Sequence, residues 1–225
     1  MKILAIDTSL GAASACLFDS DSNELQARET VWLERGHDQI IIPLVDRIVA
    51  EAGGRSCIER VAVTVGPGSF TGIRVGISAA RAIGLALNVP VVGVSTLSAY
   101  VAPLLLDYSD GVAAAAVDAR HGRIFVTAFA GGNTIVAPRV AAPREAARSM
   151  GSGPLRLAGP SAAAVAIEAW SMGVSAEVVS DAGAPDIAFV ARLGAAADPQ
   201  SAPPRPLYLK APDVTPPAPA AIPVA

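Results

Sequence analysis

Residues 7–9 read Asp-Thr-Ser, an acid followed by two hydroxyls, with Gly11 two positions further on. A turn of that composition can bring a phosphate against hydroxyl and backbone N–H groups, the glycine allowing close approach. Asp and Ser are also common turn residues, so a turn satisfied by its own side chains is the competing reading. A second stretch, Gly66-Pro67-Gly68-Ser69-Phe70-Thr71-Gly72, lacks the Gly-Lys-Ser/Thr ending of a P-loop. Its glycines still expose backbone N–H groups at the start of a helix, where anions are attracted. Ser69 or Thr71 would cap that helix. The candidate phosphate contacts are therefore Asp7, Thr8, Ser9, Gly68 and Ser69. Metal chemistry has little to work with. A helix-borne metal pair needs histidines at i and i+4, but Ile41 stands four residues after His37, and His121 is the only other histidine. His37 reads as a helix-start or surface residue, and no metal ligand is assigned. Ser9, His121 and Asp118 can be drawn as a triad, yet nothing in the sequence places them in the required order of hydrogen bonds.

The elements that must position these residues repeat. Lys2–Asp7, Ala12–Phe18 and Leu25–Leu33 read as strands, and apolar spacing from Ile40 to Ala52 marks a helix over His37–Ala52, in which Pro43 either starts the regular part or kinks it. A valine-rich strand, Arg60–Val65, precedes the glycine loop. A helix over Thr71–Leu87, a strand Val89–Val94 and a helix capped by Ser95 follow. The same order then returns, with strands Val112–Asp118, Ile124–Phe129 and Thr134–Val140, a helix Pro143–Met150, a strand Leu155–Ala158, a helix Ser161–Met172, a strand Ala176–Val179 and a helix Pro185–Ala197. Both halves read βββαβαβα. The punctuation repeats as well: Asp7 and Gly11 correspond to Asp118 and Gly122, and Gly66-Pro67 to Gly159-Pro160.

Such a duplication implies an α/β protein of the actin-like ATPase (ribonuclease H-like) architecture, with subdomains over residues 1–107 and 108–210. Residues 211–225 form a Pro/Ala-rich tail that cannot build a core by itself and is expected to be extended or mobile. In that architecture the first hairpin of each half approaches a nucleotide. The second hairpin, Asp118-Ala119-Arg120-His121-Gly122-Arg123, carries cationic side chains where hydroxyls and glycines are needed. A complete ATP site is not expected, no cofactor is assigned, and a weakly held or shared adenine nucleotide is the remaining alternative.

With 225 residues, 52% hydrophobic and 16% charged, the chain has ample material for a core, and its net charge of −3 gives no basic stripe for nucleic acid. Two cysteines, Cys16 and Cys57, make neither a disulfide framework nor a zinc set and read as reduced thiols. The apolar start is too short for a signal peptide, and no apolar run approaches the ~20 residues of a membrane helix, so a cytoplasmic protein is expected.

Gly72, Gly76, Ala80 and Gly84 recur every four residues. Interior glycine costs ~1 kcal/mol each relative to alanine, so the small-residue face serves close approach, either to the chain's own sheet or to a partner helix.

Several of these segments together resemble the TsaB (YeaZ) family: Ile3-Leu4-Ala5-Ile6-Asp7-Thr8-Ser9, Gly66 through Arg74, Gly93-Val94-Ser95-Thr96-Leu97, Asp118-Ala119-Arg120 and Pro206-Leu207-Tyr208-Leu209-Lys210. Where family members carry an acidic residue and a tyrosine after the Asp-Ala-Arg turn, this chain has Arg123 and Phe125. The resemblance implies a non-catalytic subunit of the machinery that forms threonylcarbamoyladenosine in tRNA. Such a subunit pairs with the catalytic paralogue TsaD, is joined by the ATPase TsaE, and meets tRNA only through the complex. A homodimer is expected when the partner is absent. Pairing through the N-terminal helices implies an interface of His37, Ile41, Leu44, Ile48, Gly72, Val75, Gly76, Ala79, Ala80 and Ile83. On that reading Gly76→Leu or Ala80→Arg abolishes the complex and leaves the isolated fold largely intact. The alternatives are a stand-alone actin-like ATPase or kinase built on Asp7-Thr8-Ser9, and an M22-type glycoprotease, against which the missing histidine pair argues.

Overall fold

The first sheet is built on a central strand whose interior, Ile3 to Ile6, is apolar. β1 (Lys2–Asp7) has five of its six residues buried. It lies between antiparallel β2 (Ala12–Asp19) and parallel β4 (Arg60–Gly66), and strands covered on both faces read as continuous apolar runs. β3 (Glu24–Trp32) and β5 (Val91–Ser95) close the edges, giving the order β3-β2-β1-β4-β5. The second sheet has the corresponding order, β8 (Asn133–Ala141), β7 (Ile124–Ala130), β6 (Val112–Asp118), β9 (Leu155–Ala158) and β10 (Ala176–Ser180). The duplicated α/β architecture expected from the sequence is therefore present. This computed structural model describes residues 1–54 and 58–210. Cys57 and the 211–225 tail lie outside them.

Helices α1 (His37–Glu51) and α2 (Phe70–Leu87) cover one face of the first sheet, and α4 (Pro143–Ser149) and α5 (Ala162–Ser171) the matching face of the second. The last helix of each half crosses over. α3 (Thr96–Asp107) sets Leu97, Tyr100, Val101 and Leu104 against Ala113, Ala115, Val117 and Phe125 of the second sheet. Reciprocally, α6 (Ile187–Ala196) sets Ile187, Val190 and Ala191 against Ile3, Ala5, Cys16 and Val92 of the first. Arg60 locks this exchange by donating to the carbonyls of Gly194, Ala195 and Ala197, each at 2.9 Å. A cut at 107/108 separates the sheets but divides both of these cores. Cys16 sits inside one of them, and burial pushes its thiol up to about 12.

Local chemistry sets the ends. Ser69 and Ser95 cap α2 and α3 by accepting the N–H of Gly72 and of Ser98. Pro43 lies inside α1 rather than at its start. Gly66, which ends β4, and Gly159, which follows the equivalent strand β9, have φ of 103° and 102°, a region in which a side chain is strained. By length and composition α2 qualifies as a membrane span, contrary to the expectation that no run approached one. Its buried side, Gly72, Ile73, Gly76, Ile77, Ala79, Ala80 and Gly84, is the side its own sheet covers.

Candidate partner face and interlobe cleft

The Asp7-Thr8-Ser9 turn is locked beneath α2. Thr8 Oγ1 donates to the Gly72 carbonyl at 2.7 Å, and the Ser69 backbone N–H donates to the Ser9 carbonyl at 2.7 Å. Asp7 Oδ1 accepts from the Ser9 N–H at 3.0 Å, from Ser9 Oγ at 2.7 Å, and from Thr64 Oγ1. All three turn residues are buried. Burial raises the Asp7 carboxyl above its ordinary value, against the opposing hydrogen bonds from Thr64 and Ser9. The expectation that Asp7, Thr8 and Ser9 present hydroxyls to a phosphate is therefore corrected. Both hydroxyls serve the protein itself, Thr8 donating to α2 and Ser9 to Asp7. Gly68 and Ser69, the other two phosphate candidates, do line the cleft between the halves.

The same contact explains the glycine ladder. A Cβ at Gly72 would overlap the Thr8 carbonyl, one at Gly76 would overlap Thr8 Oγ1, and one at Gly84 would overlap Val91. The small-residue face serves α2's own sheet, and the reading in which Gly76→Leu spares the isolated fold is withdrawn. His37, Ile41, Leu44, Ile48, Gly72, Gly76, Ala79 and Ala80 are all buried within the chain, while Val75 and Ile83 are partly exposed. His37 is thus no surface residue: its Nε2 lies 2.9 Å from the Leu10 carbonyl. Helical periodicity finds the apolar stripe but does not say whether a sheet or a partner covers it. What α1 and α2 leave outward is the groove between them, about 280 Å³, lined by Ile42, Val45, Val49, Ile58, Ala82, Ile83, Ala86 and Leu87. Ile42 is 45% exposed at its rim.

The second turn is built differently. Arg120 and His121 take φ of 64° and 53°, and Asp118, Arg120, His121 and Arg123 are exposed. This turn and the glycine loop face one another across a cleft of about 550 Å³, lined also by Leu207, Tyr208, Leu209 and Lys210. Those last residues come from a strap that the sequence marks only as a short apolar island. Gly93 N–H donates to the Ala202 carbonyl and Leu207 N–H to the Val65 carbonyl, at 2.9 and 2.8 Å. The Tyr208 ring stacks on Phe70 at 5.2 Å, and the Arg74 guanidinium lies 3.8 Å over Phe70. Lys210 Nζ reaches the Ala119 carbonyl in the second half at 3.3 Å. Among the described residues no three His, Cys, Asp or Glu side chains are grouped to hold a metal ion.

A family model described as TsaD, tRNA N6-adenosine threonylcarbamoyltransferase, matches residues 32–188. The chain belongs to that family. Within the TsaD family its likeness is to TsaB (YeaZ) proteins. It is 38% identical over 126 residues to the tRNA threonylcarbamoyladenosine biosynthesis protein TsaB of Escherichia coli, covering 56% of this chain and 53% of that protein. The Haemophilus influenzae protein of the same description is 34% identical over 131 residues, covering 56% of this chain and 52% of the other. The chain thus spans about half the length of these curated relatives. A solved structure of YeaZ from Pseudomonas aeruginosa superposes with a TM-score of 0.72 at 25% identity, covering 92% of this chain and 99% of that one.

For this TsaD-family chain, sequence reasoning missed the strap contacts of Phe70, Arg74 and Tyr208. The available signal was the aromatic and cationic composition of two segments far apart in the chain, and spacing alone cannot pair them.

Proposed function

We propose that the chain is a non-catalytic subunit of the machinery that forms threonylcarbamoyladenosine in tRNA, pairing with a TsaD-type paralogue through the outer face of α1 and α2. The observation that carries this reading is the open apolar groove between those helices, which presents Ile42, Ala82, Ile83 and Leu87. Two packed helices with a cleft of apolar side chains between them offer a partner helix surface to cover. The likeness to TsaB supports the same reading, since those relatives are described as biosynthesis proteins for this nucleoside. The internal engagement of Thr8 and Ser9 favours a subunit over a stand-alone kinase. A TsaE-type ATPase joins the pair, tRNA is met through the assembly, and a homodimer forms through the same groove when the paralogue is absent. Any adenine nucleotide belongs in the cleft beside Gly68 and Ser69, held weakly or shared with the partner.

Size-exclusion chromatography with light scattering, on the chain alone and mixed with its organism's TsaD, tests the pairing. The wild-type chain is expected to co-elute, and Ile42→Arg and Ala82→Arg to elute separately with unchanged circular dichroism. Co-elution that survives both substitutions sinks the groove assignment. Nucleotide hydrolysis by the purified chain that Asp7→Ala removes would establish the stand-alone enzyme instead.

A further inference from the structure

A second apolar groove, lined by no residue of α1 or α2, is left without a role by the partner reading. Its volume is about 500 Å³, and its apolar lining includes Trp32, Tyr100, Pro103, Leu104, Pro185 and Phe189. Trp32, at the end of edge strand β3, is 63% exposed on its rim. Several polar groups along the lining are already engaged within the protein. The Tyr100 hydroxyl donates to the Ala182 carbonyl at 2.8 Å, Asp186 caps α6 through the Ala188 N–H at 3.0 Å, and Glu29 accepts from Arg47 at 2.6 and 2.9 Å. What remains for an occupant is largely aromatic and aliphatic surface beside a flat indole ring.

We propose that residues 211–225 of this same chain occupy this groove, laying their prolines against Trp32. Three observations carry the assignment. The first is composition: the segment Ala-Pro-Asp-Val-Thr-Pro-Pro-Ala-Pro-Ala-Ala-Ile-Pro-Val-Ala has one charged residue, Asp213, and contains the Pro-x-x-Pro spacing at Pro216 and Pro219. Proline-rich segments of this kind dock on aromatic-lined grooves with little ordering penalty. The second is origin. The described chain ends at Lys210 inside the interlobe cleft, and Gly183 lines that cleft while its neighbours Ala182 and Ala184 line the groove. A Cβ on Gly183 would stand 3.3 Å from the Trp32 ring, so only the width of this one segment separates the cleft from the tryptophan. The third is reach: at ~3.1 Å per residue the fifteen positions from 211 to 225 extend ~46 Å in the polyproline conformation, ample for the path. Addition to the free edge of β3 as a further strand is disfavoured, because Pro216, Pro217 and Pro219 have no N–H to donate.

Trp32 itself is the reporter. Trp170, the other tryptophan, sits on α5 in the second half and is replaced in a Trp170→Phe background. Acrylamide quenching of Trp32 is compared among the full chain, a chain ending at Lys210, and a full-length chain whose 211–225 segment is exchanged for Gly/Ser. A tethered segment acts at an effective concentration on the order of millimolar. On that basis Trp32 in the full chain is expected to be quenched roughly half as strongly as in the other two, independent of protein concentration. A synthetic 211–225 peptide added to the truncated chain at ~1 mM is expected to restore the protection. Equal quenching in all three chains overturns the proposal. So does protection by the Gly/Ser tail, which would mean the proline sequence is not read, or protection that vanishes on dilution, which would assign the groove to a second copy.

Discussion

Asp7 and Asp118 close the same turn in the two halves. Each Oδ1 accepts the backbone N–H two positions on, from Ser9 at 3.0 Å and from Arg120 at 2.9 Å. Topology and local hydrogen bonding are shared, but the surroundings differ. The first turn lies under the glycine ladder of α2, with Asp7, Thr8 and Ser9 buried and both hydroxyls committed. The second is in the open, with Arg120 and His121 in left-handed conformations and the Lys210 ammonium on the Ala119 carbonyl. Duplication preserves the strand that delivers a turn, whereas the helix that follows decides whether the turn is a buried packing joint or an exposed one. α5, the counterpart of α2, buries Ala162, Val165, Ala166 and Ala169 and brings no glycine against the second turn.

Filling the contact breaks the comparison most directly. Gly76→Leu forces a side chain into Thr8 Oγ1, and overpacking of this kind costs about 1–3 kcal/mol or more. Urea denaturation is expected to show a lowered midpoint, and a variant as stable as wild type would mean the ladder does not touch the turn. Next in size is Thr8→Val, which removes the donor to the Gly72 carbonyl and leaves a buried acceptor, at about 1–3 kcal/mol. The same assay measures it.

Asp7→Asn probes the burial of the first acid. The folded Asp7 carboxyl is raised above its unfolded value, chiefly by desolvation. Its ionisation therefore opposes folding at pH 7, and that penalty fades as pH falls through the raised value toward the unfolded one, near 3.9. Relative to Asp7→Asn, the wild-type chain is expected to gain stability between pH 7 and pH 4, read from urea unfolding at both. A difference between the two chains that does not change with pH would mean Asp7 is not raised.

The smallest effect belongs to the exposed turn. Arg120 has φ of 64°, and a non-glycine residue there is strained by roughly 1–2 kcal/mol. Part of that returns in Arg120→Gly, offset by the extra entropy of glycine in the unfolded chain, for a net gain of up to ~1 kcal/mol. The corresponding measurement is a rise in thermal midpoint with no change in circular dichroism.

The boundaries of nearly every strand and helix were legible from apolar runs and punctuation, down to the Ser95 cap and the choice of Ser69 or Thr71 for α2. Candidate site residues were less so. Ile41, Leu44, Ile48, Gly76 and Ala80, expected at a partner interface, lie instead on the buried faces of α1 and α2. Ile42 and Ala82, which line the open groove, sit off those faces, because a chain's own core takes its most regular apolar face first.

The sequence by itself determined the duplicated βββαβαβα order, the turns that end its strands, and the absence of a histidine pair at helical spacing. These are properties of neighbours in the chain, set by periodicity, capping and backbone freedom. Only the tertiary structure decided that α3 and α6 exchange sheets, that Thr8 meets Gly72 across 64 residues of chain, and that Tyr208 stacks on Phe70. Such contacts join segments with no local signal for one another. They form because two half-covered sheets and a helix bare enough to approach them have one arrangement that buries all their apolar faces together.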